Sequence, residues 1–146
     1  MKGGRFTIHK ARKQIILICF IIYLLAVFWY TVLNRQTGLQ SAQFKLIWSY
    51  KEWVSGDWEL GKEIMANMAM FIPFGFLLSE GLFKHRFIIP AATLFSVLIE
   101  MLQLFLMRGL FEWDDVISNT VGASIGIGLY KLMEIILTER NLSIIS

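Results

Sequence analysis

The sequence predicts an all-α integral membrane protein, a bundle of about four transmembrane helices with an aromatic-rich segment at the outer interface. Of its 146 residues 56% are hydrophobic and 17% charged, against roughly 45–50% and 25% in soluble domains. Four apolar segments, roughly 15–33, 64–83, 87–107 and 116–137, approach the ~20 residues a helix needs to cross a bilayer core. Basic residues gather beside these segments, at Lys2, Arg5, Lys10, Arg12 and Lys13 and again at Lys84-His85-Arg86, as cytoplasmic flanks do. A single domain over 1–146 follows. Because the net charge of +3 resides in those flanks, nucleic acid is excluded as a partner and the bilayer is the expected one.

The first segment has the basic prelude of a signal peptide. Its apolar run is too long for one, however, and ends in Phe28-Trp29-Tyr30 with no small-residue cleavage pattern, so it is expected to stay as an anchor helix. Cys19, the one cysteine, lies inside it, which leaves no intrachain disulfide and no thiolate metal site. The following loop places Phe44, Leu46, Ile47, Trp48, Tyr50 and Trp53 at mixed three-to-four spacing after Ser41, a candidate helix cap. This predicts a short helix with Trp48, Tyr50, Trp53 and Trp58 at headgroup depth, either as an aromatic belt or as a lid.

In the second segment, Asn67-Met-Ala-Met-Phe-Ile-Pro73-Phe-Gly75 carries a proline that removes a backbone donor and predicts a kink near Met70. Glu80, four residues before Lys84, reads as a flank residue. The third segment sets Glu100 and Gln103 on one helical face, with Arg108 near that face if the helix continues. The fourth sets Asp115 and Asn119 on a face that continues through Gly122-x-x-x-Gly126, where another helix can approach closely. Pro73, Gly75, Gly122 and Gly126 are thus the expected helix-packing positions, and the Gly122–Gly126 face is a candidate surface for a second copy or a membrane partner.

With the basic flanks in the cytoplasm, four crossings put both termini inside and bring Asn67, Glu100, Gln103, Arg108, Asp115 and Asn119 to one outer boundary. Arg108 is the natural counterion for Glu100, shared with Asp114 or Asp115. The cluster can therefore be a structural ion-pair network or a binding site. The two histidines, His9 and His85, fall at the opposite end, which removes a Ser-His-acid triad and a zinc site. An oxygen-ligated cation at Glu100, Asp114 and Asp115 is disfavoured by the arginine. No cofactor and no metal are expected. Glu100, Asp115 and Arg108 would be the acid/base and anion-binding groups if the protein were an enzyme.

At these residues the chain resembles the VanZ-like family of small bacterial membrane proteins. The resemblance rests on Asn67-x-x-x-Phe71-Ile-Pro73-x-Gly75-Phe-Leu-Leu, and on Glu100-x-x-Gln103, Arg108 and Asp115-Val-Ile-x-Asn119-Thr-x-Gly122-Ala-x-x-Gly126. It implies a multi-pass protein of the bacterial plasma membrane and a link to resistance against the glycopeptide antibiotic teicoplanin. The expected function is therefore binding of a cell-envelope lipid or a glycopeptide at the outer polar site, in antibiotic resistance or envelope homeostasis. A membrane enzyme acting on a lipid-linked phosphate or acyl substrate, and a scaffold subunit of a membrane complex, remain open.

Overall fold

The computed structural model describes residues 3–35 and 38–143. Four long helices make up the bundle: α1 (Gly3–Phe28), α3 (Trp58–Ser79), α4 (Ile88–Phe105) and α5 (Trp113–Ser143). A π-helical turn over Trp29–Leu33 extends α1, a short helix α2 (Trp48–Val54) precedes α3, and a 3-10 turn over His85–Phe87 leads into α4.

Three stretches are long and apolar enough to cross a membrane: Lys10–Leu33, His85–Phe105 and Trp113–Arg140. The helix expected over 64–83 is displaced. α3 begins at Trp58 and ends at Ser79, because Asp57 caps its start by accepting from the backbone N–H groups of Glu59 and Leu60. Its first turns carry Glu59, Lys62 and Glu63, so the apolar part after Ile64 is about 24 Å long at ~1.5 Å per residue, short of the ~30 Å hydrocarbon core. Pro73 sits on the exposed side of this unbroken helix, and Tyr23 of α1 donates to the Met70 carbonyl one turn earlier at 2.7 Å.

Contacts between helices fix their directions. Arg12 pairs with Glu80 and Tyr23 with Met70, so α1 and α3 are antiparallel. Ser96 faces Asn119 and Thr93 faces Thr120, so α4 and α5 are antiparallel too. Met68 meets Gly122 and Ile72 meets Gly126, which makes α3 and α5 parallel. The ends of α1 and α4 and the starts of α3 and α5 therefore share one end of the bundle. Between α1, α3 and α4 an aromatic core joins Phe20, Phe71, Phe74 and Phe95, with ring centroids 5.4–6.0 Å apart.

The glycines foreseen as packing positions are filled from within the chain. A methyl group on Gly75 would overlap the Ala123 carbonyl, one on Gly122 the Met68 carbonyl, and one on Gly126 the Ile72 carbonyl. The helix received by the Gly122–Gly126 face is thus α3 of the same chain, and that face is covered rather than free for a second copy or a partner.

Two short strands were not foreseen. β1 (Leu39–Gln43) follows α1 and pairs in parallel with β2 (Arg108–Glu112), which follows α4, Leu39 lying opposite Arg108 and Gln43 opposite Glu112. Ser41 is accordingly within a strand rather than a helix cap. α2 starts seven residues later in the chain at Trp48, after Ile47 in a left-handed conformation with φ 63°.

Candidate functional site

The shared end of the bundle holds a cavity of about 450 Å³, within the range of small-molecule sites. Its wall mixes apolar surface with charged and amide residues, Arg35 and Arg108, Glu63, Glu112 and Asp115, and Asn34 and Asn67, together with Tyr30 and Leu110. The Asn67 amide lies beside the Asp115 carboxylate and favours its charged form. Asn67 comes from α3, Asp115 from the first turn of α5, Arg108 and Glu112 from the two ends of β2, and Arg35 from the chain leaving α1. Alternating helix direction places these distant positions together.

Of the six residues singled out in the sequence, Asn67, Arg108 and Asp115 line the cavity. Glu100, Gln103 and Asn119 lie beneath, 2%, 0% and 2% exposed. Glu100 accepts from the Glu112 backbone N–H at 3.0 Å, Gln103 Nε2 donates to the Thr31 carbonyl at 2.9 Å, and Asn119 Nδ2 donates to Ser96 Oγ at 2.8 Å. These three tie α4 to β2, α1 and α5, which gives the site a fixed floor.

Arg108 is not the counterion of Glu100. α4 ends at Phe105 and the chain turns through Met107 at φ 55° into β2, so the helical spacing that joined the two residues does not persist. Arg108 Nη1 instead donates to the Val32 and Leu33 carbonyls, satisfying groups that the end of α1 leaves without intrahelical partners. The cation whose field reaches Glu100, Glu112 and Asp115 is Arg35, which no motif or spacing in the sequence singles out. Its Nη1 stands 3.0 Å from where a Cβ on Gly109 would be, so the missing side chain there gives the guanidinium room. Glu63 and Glu112 were missed also, Glu112 because only strand pairing turns it towards the cavity. The signal that could have found Glu63 is its i, i+4 spacing to Asn67.

Asp114 has a structural task. Fully buried, it accepts from the backbone N–H of Ile47 at 2.6 Å and of Ser49 at 2.9 Å, and from Ser49 Oγ at 2.7 Å. α5 thereby caps the start of α2. Tyr50 of α2 also reaches Ser118 Oγ at 2.8 Å. The cavity wall contains no α2 residue among those described, so this helix braces the end of the bundle beside the cavity rather than covering it. Of the aromatic residues expected at headgroup depth, Trp48, Tyr50 and Trp53 are half-buried and Trp58 is exposed.

Burial, reinforced by the charges of Asp115 and Glu63, pushes the Glu112 carboxyl up to about 7, while Arg35 acts in the opposite direction. A carboxyl with a folded pKa above its unfolded value holds its proton more tightly when folded, so its stabilising effect is complete below about 4.5 and fades as pH rises through about 7. Glu112→Gln is expected to remove this part of the pH dependence: the difference in melting temperature between variant and wild type should grow in the variant's favour from pH 5 to pH 8. A constant difference across that range would place the Glu112 carboxyl in an ordinary, solvated environment.

No group of His, Cys, Asp and Glu side chains suited to hold a metal ion occurs among the described residues. The chemistry on offer is recognition of charged and hydrogen-bonding groups, with carboxylates that can accept and guanidiniums that can donate.

No solved structure matches the chain. Among curated proteins it is similar to Protein VanZ of Enterococcus faecium, 33% identical over 84 residues, a stretch that makes up 56% of this chain and 52% of that protein. The match thus spans about half the length of the curated relative. The family model VanZ/LLP1 matches residues 15–134, which include all of α3 and α4, the greater part of α1 and α5 and the whole cavity wall, and the chain belongs to the VanZ/LLP1 family.

Proposed function

We propose that this protein crosses the bacterial plasma membrane four times, with both termini in the cytoplasm, and binds the headgroup of a cell-envelope lipid in the cavity at the outer leaflet. The observation that carries the reading is the 450 Å³ cavity with two guanidiniums and three carboxylates at one end of helices that elsewhere present apolar surface. Charged side chains at that depth are costly unless they serve a partner. The opposite end carries Lys10, Arg12, Lys13, Lys84 and Arg86, which supports a cytoplasmic location there by the positive-inside rule. α3, short in apolar length, completes the fourth crossing with its polar first turns beside the cavity. A cavity of this size suits a headgroup or one sugar, so a glycopeptide antibiotic would engage through a part of itself. Resistance to teicoplanin or envelope homeostasis would follow from sequestering such a ligand.

Native mass spectrometry of protein released gently from its membrane tests this, with wild type beside Arg35→Gln. Arg35 is the better probe than Arg108, whose removal also unties α1. A lipid retained by the wild type and lost in a folded variant is the expected result. Equal retention by both, or two equally bare folded proteins, would make the cavity an internal charge network.

A further inference from the structure

We infer that the ligand of this cavity is a phosphate ester carrying a primary ammonium group, the headgroup class of amine-bearing phospholipids. This rests on the reading of the cavity as a headgroup site and names its chemistry. The wall is zwitterionic but unevenly so, with Glu63, Glu112 and Asp115 facing Arg35 and Arg108. Arg108 has Nη1 committed to the carbonyls at the end of α1. Arg35 closes no ion pair among the described residues, which leaves one guanidinium ready for a phosphate.

An independent observation comes from Gln103. Its Nε2 is fixed by the Thr31 carbonyl, which orients the amide, and its Oε1 is buried without any hydrogen-bond partner. That oxygen lies 3.6 Å from where a Cβ on Gly109 would stand, beside Arg35 Nη1 at 3.0 Å, and Gly109 is part of the cavity wall. Buried acceptors are rarely left unpaired. Gln103 itself lies behind that wall, while the wall carboxylates of Glu63, Glu112 and Asp115 can only accept when ionised, so the group that pairs with them must bring several donors. A primary ammonium brings three, whereas a quaternary ammonium brings none and a glycerol headgroup brings no positive charge. The phosphate two carbons away from such an ammonium then meets Arg35.

The test uses the full-length protein in nanodiscs containing phosphatidylethanolamine, phosphatidylglycerol and phosphatidylcholine in equal parts, with native mass spectrometry counting the lipids that remain bound. Preferential retention of phosphatidylethanolamine over both others is expected, falling about tenfold in Glu112→Gln and in Glu63→Gln, as loss of a charge-assisted contact predicts. Glu63 is exposed, so its variant keeps the inference falsifiable if Glu112→Gln folds poorly. Soluble phosphoethanolamine, added in excess, separates the two sources of this chemistry: displacement only at high concentration assigns the site to the lipid, and displacement at low concentration assigns it to the free ester. Retention led by phosphatidylglycerol or phosphatidylcholine overturns the ammonium assignment while leaving a headgroup site. Absence of any bound lipid that depends on Arg35 overturns the headgroup reading itself.

Discussion

Gly122→Ala is expected to destabilise the protein by about 2–3 kcal/mol, the cost of forcing extra atoms into a packed contact, whereas Gly128→Ala is expected to be neutral or slightly stabilising. Both glycines lie in α5 and look alike in the sequence. A Cβ on Gly122 would overlap the Met68 carbonyl of α3, a rigid backbone group, while a Cβ on Gly128 meets nothing within 4 Å. With no obstacle, alanine at Gly128 gains the helix preference it holds over glycine, about 1 kcal/mol. Close backbone approach through small residues is what holds helices together where lipid replaces water. Thermal unfolding in one detergent, reading both variants beside wild type, decides the matter. If Gly122→Ala melts with the wild type, α3 and α5 are not in backbone contact and the wall formed by Asn67 and Asp115 has no fixed geometry.

Asp114→Asn is expected to lower stability by about 3 kcal/mol and to release α2, although the neighbouring Asp115→Asn should leave stability undiminished and impair ligand binding instead. Two Asp114 oxygens accept three donors from Ile47 and Ser49, each bond to a charged acceptor being worth about 1.5–3 kcal/mol. An amide in that place retains one acceptor and turns its NH2 towards a donor. Ile47, a β-branched residue held at φ 63°, adds about 1–3 kcal/mol of backbone strain that the Asp114 contact offsets. Hydrogen exchange provides the local reading: amides over 48–54 should lose protection in Asp114→Asn before those of α3 and α5 do. Unchanged protection there would mean that the Tyr50–Ser118 contact and the packing of Trp53 on Gly61 of α3 anchor α2 without Asp114.

Much of the architecture is legible in the chain because one physical requirement governs it. Backbone groups in hydrocarbon must bond within their own segment, so the apolar runs announce helices, and the turns between them force neighbours to alternate. That alternation is enough to bring Asn67, Arg108 and Asp115 to one end. It also exposes the Gly122–Gly126 face as a contact surface, although not whose helix fills it.

The sequence by itself determined the class of the molecule, its helices and the end of the bundle at which polar groups collect, since these depend on local hydropathy, chain length and direction. Only the tertiary structure decided the chemistry of that end. Pairing of β1 with β2 joins residues far apart in the chain, and no local pattern encodes it. It turns Arg108 onto the carbonyls of α1, brings Glu112 to the cavity and leaves Arg35 facing the carboxylates. Between Asp114 and Asp115 a rotation of about 100° along a helix sends one carboxylate to hold α2 and the other to line the cavity, a division set by what packs against each face.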